Sequence, residues 1–104
     1  MRRGEIWEAD VGGKVGKRPV LILTRSAVIP HLNKVVVAEI TSQGKGYPTQ
    51  IPIGKEGNLT KESFVCADNL HTLPKDRLIR NRGTLSEATL AHINRAIIFA
   101  LELE

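Results

Sequence analysis

The 104 residues give room for one hydrophobic core, so a single domain spanning 1–104 is expected and a second is excluded. Hydrophobic residues at 41% and charged residues at 25% rule out the disordered class, no apolar run approaches the ~18 residues of a membrane span, and one cysteine, Cys66, rules out an intrachain disulfide or a cysteine-rich zinc site. The net charge of +4 is unevenly spread: residues 1–50 hold eight Lys/Arg against four Asp/Glu, residues 51–85 six against four, and residues 86–104 one against three, an excess of cations that favours a polyanionic partner for everything before the C-terminal segment.

Met1-Arg2-Arg3-Gly4-Glu5 runs directly into the first amphipathic stretch, with no apolar core of a signal peptide behind it, so a cytoplasmic location is expected. Alternation and β-branched content then predict strands at Glu5–Ala9, Pro19–Thr24, Val35–Ile40, Thr49–Ile53, Phe64–Ala67 and Leu70–Leu73. Gly12-Gly13 with Gly16, the run Gln43–Gly46, and the run Gly54–Asn58 punctuate them as turns. Pro52 lacks an amide donor, which demotes the fourth strand to an edge or a bulge. Cys66 lies in an apolar strand, where it reads as a small hydrophobe.

Past Leu73 the pattern changes. Pro74–Leu78, with Pro at its start and Asp76 nearby, suits a short helical turn. Leu90, Ile93, Ile97, Ile98 and Leu101 then recur at helical spacing. Ser86 is a suitable N-cap, and Leu85 with Leu90 forms the pairing of a hydrophobic staple. Five or six short strands followed by one amphipathic helix make an α+β domain, a small twisted sheet or partly open barrel covered by the helix.

Several stretches, in order, resemble the MazF/PemK toxins. Arg2-Arg3-Gly4-Glu5-Ile6-Trp7 is similar to the family's opening strand, Lys17-Arg18-Pro19-Val20-Leu21-Ile22-Leu23-Thr24 to its Arg-Pro-Val strand, and Val35-Val36-Val37-Ala38-Glu39-Ile40-Thr41-Ser42 to its Val-Ala-x-Ile/Leu-Thr-Ser strand. Ser63–Thr72, Pro74-Lys75-Asp76-Arg77-Leu78 and Gly83-Thr84-Leu85-Ser86 continue the likeness over nearly the whole chain. The resemblance implies an SH3-like twisted β-barrel with a C-terminal helix, a homodimer, and cleavage of single-stranded RNA without a cofactor. It further implies inhibition of translation and growth, and neutralisation by a cognate antitoxin whose disordered acidic tail fills the RNA groove. One departure is the loop Asp10–Lys17, shorter than in many relatives and lacking their Gly-x-Glu segment.

RNA carries its own nucleophile, because the 2′-hydroxyl attacks the adjacent phosphorus once the strand is held in line. The protein has to stabilise charge on the phosphorane, help remove the 2′ proton and protonate the departing 5′ oxygen. The resemblance assigns Arg18 and Thr41 as catalytic. A guanidinium offers several fixed donors to phosphate oxygens, Thr41 adds a hydroxyl, and Pro19 biases Arg18 toward an extended backbone. Neither residue is a comfortable general base, so His71 and His31 are candidates for the proton transfers, with His71 favoured by its neighbours Asn69 and Thr72.

Lys14, Lys17, Arg25 and Lys45 are expected to track phosphates, with Ser42, Asn69 and Thr72 as further RNA contacts. Tyr47, on a glycine-rich loop, is expected to stack on a base, whereas Trp7 belongs to the core and His92 to the helix. No His-x-x-x-His, His-Glu-x-x-His, paired Cys or calcium-loop pattern is present, so no metal is expected. Two rivals share parts of this reading: a CcdB-like topoisomerase poison of the same barrel fold, and a non-catalytic RNA-binding module. The poison would need a functional aromatic at its extreme C-terminus, where this chain has Leu101-Glu102-Leu103-Glu104.

Overall fold

In the computed structural model, which describes all 104 residues, the period-2 stretches become six strands: β1 (Glu5–Asp10), β2 (Lys17–Ile22), β3 (Lys34–Thr41), β4 (Gln50–Gly54), β5 (Ser63–Pro74) and β6 (Leu78–Thr84). They form one sheet in the order β4-β5-β3-β2-β1-β6, and every neighbouring pair is antiparallel. The sheet is twisted and barrel-like but open, with β4 and β6 as its edges. Pro52 therefore sits on an edge strand, where its missing amide donor leaves no internal hydrogen bond unmade.

Both faces of the sheet are buried at its centre. Ile6, Leu21, Ala38, Ile40 and Val65 point to one face, where Ile53, Leu59, Leu85 and Ile93 complete a cluster. The helix α1 (Glu87–Ala100) covers this face through Ile93, which is fully buried, and through Leu90 and Ile97. Burial of one such isoleucine contributes roughly 1.5–3 kcal/mol. Ala9, Val20, Ile22, Val35, Val37 and Leu73 point to the other face, closed by Ile29 and Leu78. Central strand β3 thus feeds both clusters, which is why Val35–Ile40 reads as an almost unbroken apolar run.

The helix begins as its sequence suggests. Ser86 has extended backbone angles and its Oγ accepts from the Thr89 amide at 3.2 Å, an N-cap worth about 1 kcal/mol. Leu85 and Leu90 both join the first cluster, consistent with a staple at this end. No helix is long and apolar enough to cross a membrane.

Four features depart from the sequence reading. Phe64–Ala67 and Leu70–Leu73 belong to the single strand β5, interrupted by a bulge: Ala38 pairs with Leu70 but the next residue, Glu39, pairs with Cys66, so Ala67, Asp68 and Asn69 are displaced from the β3 ladder. Strand β6 was not anticipated, because Leu78-Ile79-Arg80-Asn81-Arg82 is polar at most positions; an edge strand has an open side, and this one pairs irregularly with β1. Ser26–His31 forms a 3-10 turn containing Pro30, in a segment that carried no predicted element. The start of β2 is earlier than predicted, so Arg18 is part of the strand and Leu23 and Thr24 lie beyond it. The short turn expected at Pro74–Leu78 is a 3-10 turn at Lys75–Arg77 with Pro74 before it.

Candidate active site

Side chains alternate along a strand, so Arg18 lies on the same face of β2 as Val20 and Ile22, and Glu39 and Thr41 lie on the same face of β3 as Val35 and Val37. Val20 is paired with Glu39; continuing this antiparallel register by two residues brings Arg18 level with Thr41. His71 is paired with Val37 from the other side, on β5. The second apolar cluster therefore ends in a polar group, Arg18, Glu39, Thr41 and His71, carried by three adjacent strands.

Glu39 is the one charged residue that the fold buries, its side chain 12% exposed. Such a carboxylate requires partners to offset its lost hydration. Oε1 accepts from Arg18 Nη1 at 3.0 Å, and Oε2 is paired with His71 Nε2. Arg18 is 33% exposed, and its Nε is buried with no hydrogen-bond partner. Thr41 Oγ1 accepts from the Gln43 amide at 3.1 Å, closing a tight turn and keeping the hydroxyl proton available to an incoming oxygen.

Two depressions meet at Arg18, Thr41 and Gln43. The first adds Lys17, Ser42, Thr60, Lys61 and Arg82, with Glu8 as its single acid. Glu8 is paired with Arg82 at 3.0 Å, so four cations face one neutralised carboxylate. The second adds Glu39, Lys45, Tyr47, Gln50, Cys66, Asp68 and Asn69. Its floor is shaped by the β5 bulge, which turns Asp68 and Asn69 outward; Asp68 is held by the Thr49 hydroxyl at 2.9 Å. Tyr47, 54% exposed, stands on the glycine-rich loop as expected.

Of the residues singled out in the sequence, the fold brings together Arg18, Thr41, Lys17, Ser42, Lys45, Tyr47 and Asn69 along these depressions. His71 joins the group through Glu39 but lines neither depression. Lys14 is exposed on the first loop and lines neither depression.

Arg25, His31 and Thr72 do not join the site. Arg18 lies at the start of β2 and Thr41 closes β3, so the connection holding Arg25 and His31 lies at the opposite end of that hairpin. Thr72, opposite Val36, points to the other face from His71. Trp7 is half-buried against the second cluster, its indole donating to Glu5 at 2.9 Å, and His92 is exposed on α1.

The sequence reading passed over Glu39, Gln43, Gln50, Lys61, Asp68 and Arg82. Glu39 did leave a signal, a lone charge inside the apolar run Val35–Ile40. The others come from edge strands and loops whose convergence has no local pattern.

Burial pushes the Cys66 thiol above its ordinary value, and its Sγ lies 3.7 Å from the Gln50 amide. It is a neutral thiol at pH 7 and a poor nucleophile. No set of three or more His, Cys, Asp or Glu side chains gathers in a way that could hold a metal ion.

The model of the PemK-like, MazF-like toxins of type II toxin-antitoxin systems matches residues 2–101. Endoribonuclease MazF3 of Mycobacterium tuberculosis is 40% identical over 87 residues, 84% of each chain. Among solved structures, the Mycobacterium tuberculosis toxin MazF-mt6 superposes with a TM-score of 0.89 at 37% identity, covering 96% of this chain and 98% of that one. A mycobacterial endoribonuclease in complex with its cognate antitoxin gives a TM-score of 0.89 at 32% identity, covering 100% and 97%.

Proposed function

The chain belongs to the PemK-like, MazF-like toxins of type II toxin-antitoxin systems, and from that premise we propose that it is an endoribonuclease cutting single-stranded RNA through the substrate's own 2′-hydroxyl. The observation that carries this reading is Arg18 beside Thr41 on the wall shared by a basic depression and a mixed polar one. A single strand laid across that wall places one phosphate against the guanidinium and hydroxyl. Lys17, Lys61 and Arg82 then face phosphates on one side, and Tyr47, Gln50 and Asn69 face bases on the other.

In the reaction the 2′ oxygen bonds to phosphorus and the bond from phosphorus to the 5′ oxygen breaks. The 2′ proton leaves and a proton reaches the 5′ oxygen, giving a 2′,3′-cyclic phosphate and a 5′-hydroxyl end. Arg18 and Thr41 stabilise the phosphorane by donors already in place. Of the two candidate histidines, His71 is the one tied to the group, through Glu39. This chemistry asks for no metal ion.

The antitoxin complex of the relative supports a cognate antitoxin here too, and the four cations of the first depression suit an acidic, initially disordered tail. A homodimer is supported by exposed apolar side chains, Val28, Leu32 and Val36 in one region and Phe99, Leu101 and Leu103 in another. A messenger RNA substrate supports a cytoplasmic location.

Incubating purified protein with a long single-stranded RNA in EDTA, then mapping the ends, tests the activity. Cuts at a short repeated sequence with cyclic-phosphate ends are expected; RNA that is bound but intact would leave a binding module, and RNA neither bound nor cut would reject the nuclease reading. Sedimentation of the same sample is expected to give twice the chain mass, and a monomer at micromolar concentration would remove the dimer.

A further inference from the structure

We propose that Glu39 is a positioning residue for RNA cleavage, one that fixes the Arg18 guanidinium at the cost of ground-state affinity for phosphate; the inference rests on the nuclease reading above. Its basis is a buried carboxylate with both oxygens engaged, Oε1 by Arg18 Nη1 at 3.0 Å and Oε2 by His71 Nε2. The location requires explanation, because every other buried side chain on β3 is apolar.

An arginine reaches its head group through a flexible stem, and a head group one ångström out of place loses most of its value to a transition state. Glu39 holds one corner of the guanidinium, and His71, drawn from β5, keeps the carboxylate from turning away. Glu39 engages Nη1, Nε is buried, and the side chain is one-third exposed, so the fork keeps terminal N–H groups to spare and is oriented but not saturated. A phosphate oxygen entering the shared wall completes it.

The same carboxylate opposes the phosphate electrostatically. Arg18 alone would attract the ground-state phosphodiester more strongly than Arg18 paired with Glu39. Removing the charge therefore has two consequences with a recognisable joint signature: the resting complex tightens while the oriented clamp loosens. A substitution that merely disturbed the fold would weaken both binding and turnover.

The test is steady-state cleavage of a short fluorogenic RNA containing the mapped cut site by wild type and Glu39→Gln, which retains an acceptor for Arg18 without the charge. A fall in kcat of about tenfold to a hundredfold, with KM unchanged or lowered, is expected. In an Arg18→Ala background the same substitution is expected to change the rate by less than about twofold, because the two residues act as one unit.

A kcat within twofold of wild type, a fall in kcat accompanied by a rise in KM, or an equal loss in the Arg18→Ala background would overturn the proposal. If thermal melting shows Glu39→Gln unfolded, Glu39→Asp takes its place: it keeps the charge and shortens the reach by one methylene, so kcat is expected to fall at unchanged KM, and an unaltered kcat would again overturn it. Uncut RNA with wild-type protein would reject the nuclease reading itself, whereas active wild type beside an equally active variant would reject the role of Glu39 alone.

Discussion

Arg18→Ala is expected to lower the single-turnover rate of RNA cleavage by about 10²–10³-fold, the loss seen when one fixed donor to a developing oxyanion is removed. The structure explains why so much rests on this side chain. Arg18 is the cation on the wall common to both depressions, while Lys17, Lys61 and Arg82 line only the first and Lys45 only the second. Its guanidinium is also the one held by a buried carboxylate. Lysine is not an adequate replacement, since an ammonium is a point charge that cannot keep one donor on Glu39 while aiming others along a fixed fork. Truncation leaves the buried Glu39 carboxylate with His71 alone, which costs stability, but the variant should remain folded, because both apolar clusters are complete without the lost side chain. Circular dichroism and gel filtration check that condition; a folded Arg18→Ala protein cutting within tenfold of wild type would remove the residue from the site.

Gly57→Ala is expected to destabilise the fold by about 2–6 kcal/mol, combining left-handed backbone strain with overpacking of a core side chain. Gly57 has φ +70°. A Cβ there would collide with Cδ1 of Ile6 and lie 3.1 Å from its Cβ, and Ile6 is fully buried in the first cluster with no space to retreat. Gly83 presses on the same point, since its own Cβ would come within 2.9 Å of the Gly57 Cα. The turn after β4, the end of β6 and the first strand thus meet at a place where only glycine allows the backbones to approach. Total stability of domains this size is about 5–15 kcal/mol, so the change takes a large share of it. Urea denaturation measures the loss; an unaltered midpoint would contradict this account of the junction.

These two positions differ in how far they could be read in the sequence. The helix was legible in detail because its determinants are local: the spacing of Leu90, Ile93 and Ile97, and Ser86 as cap. The central strands were legible because burial on both faces writes an apolar run. Strand β6 was not, since an edge strand carrying Arg80 and Arg82 satisfies itself through pairing with β1 and leaves no apolar signature. The β5 bulge was not, because register is a relation between two strands. Arg18 and Thr41 came from family likeness, and the register of β2 on β3 supplies the physical reason for their proximity. Lysines and histidines were ranked by chemistry alone, which could not tell the Arg18 end of the hairpin from the Arg25 end. Glu39 was visible as a misfit, and its purpose emerged only with its two partners.

The central claim is that Arg18 and Thr41 together receive the phosphate at which the RNA is cut. A crystal structure with an oligonucleotide carrying a 2′-deoxy substitution at the mapped cut site tests it most directly, because that strand binds but has no nucleophile. The scissile phosphate is expected within hydrogen-bonding distance of the Arg18 guanidinium and the Thr41 hydroxyl, with the adjoining phosphates toward Lys61 and Arg82. A strand bound with that phosphate beyond the reach of Arg18, on any other face of the sheet, would contradict the account.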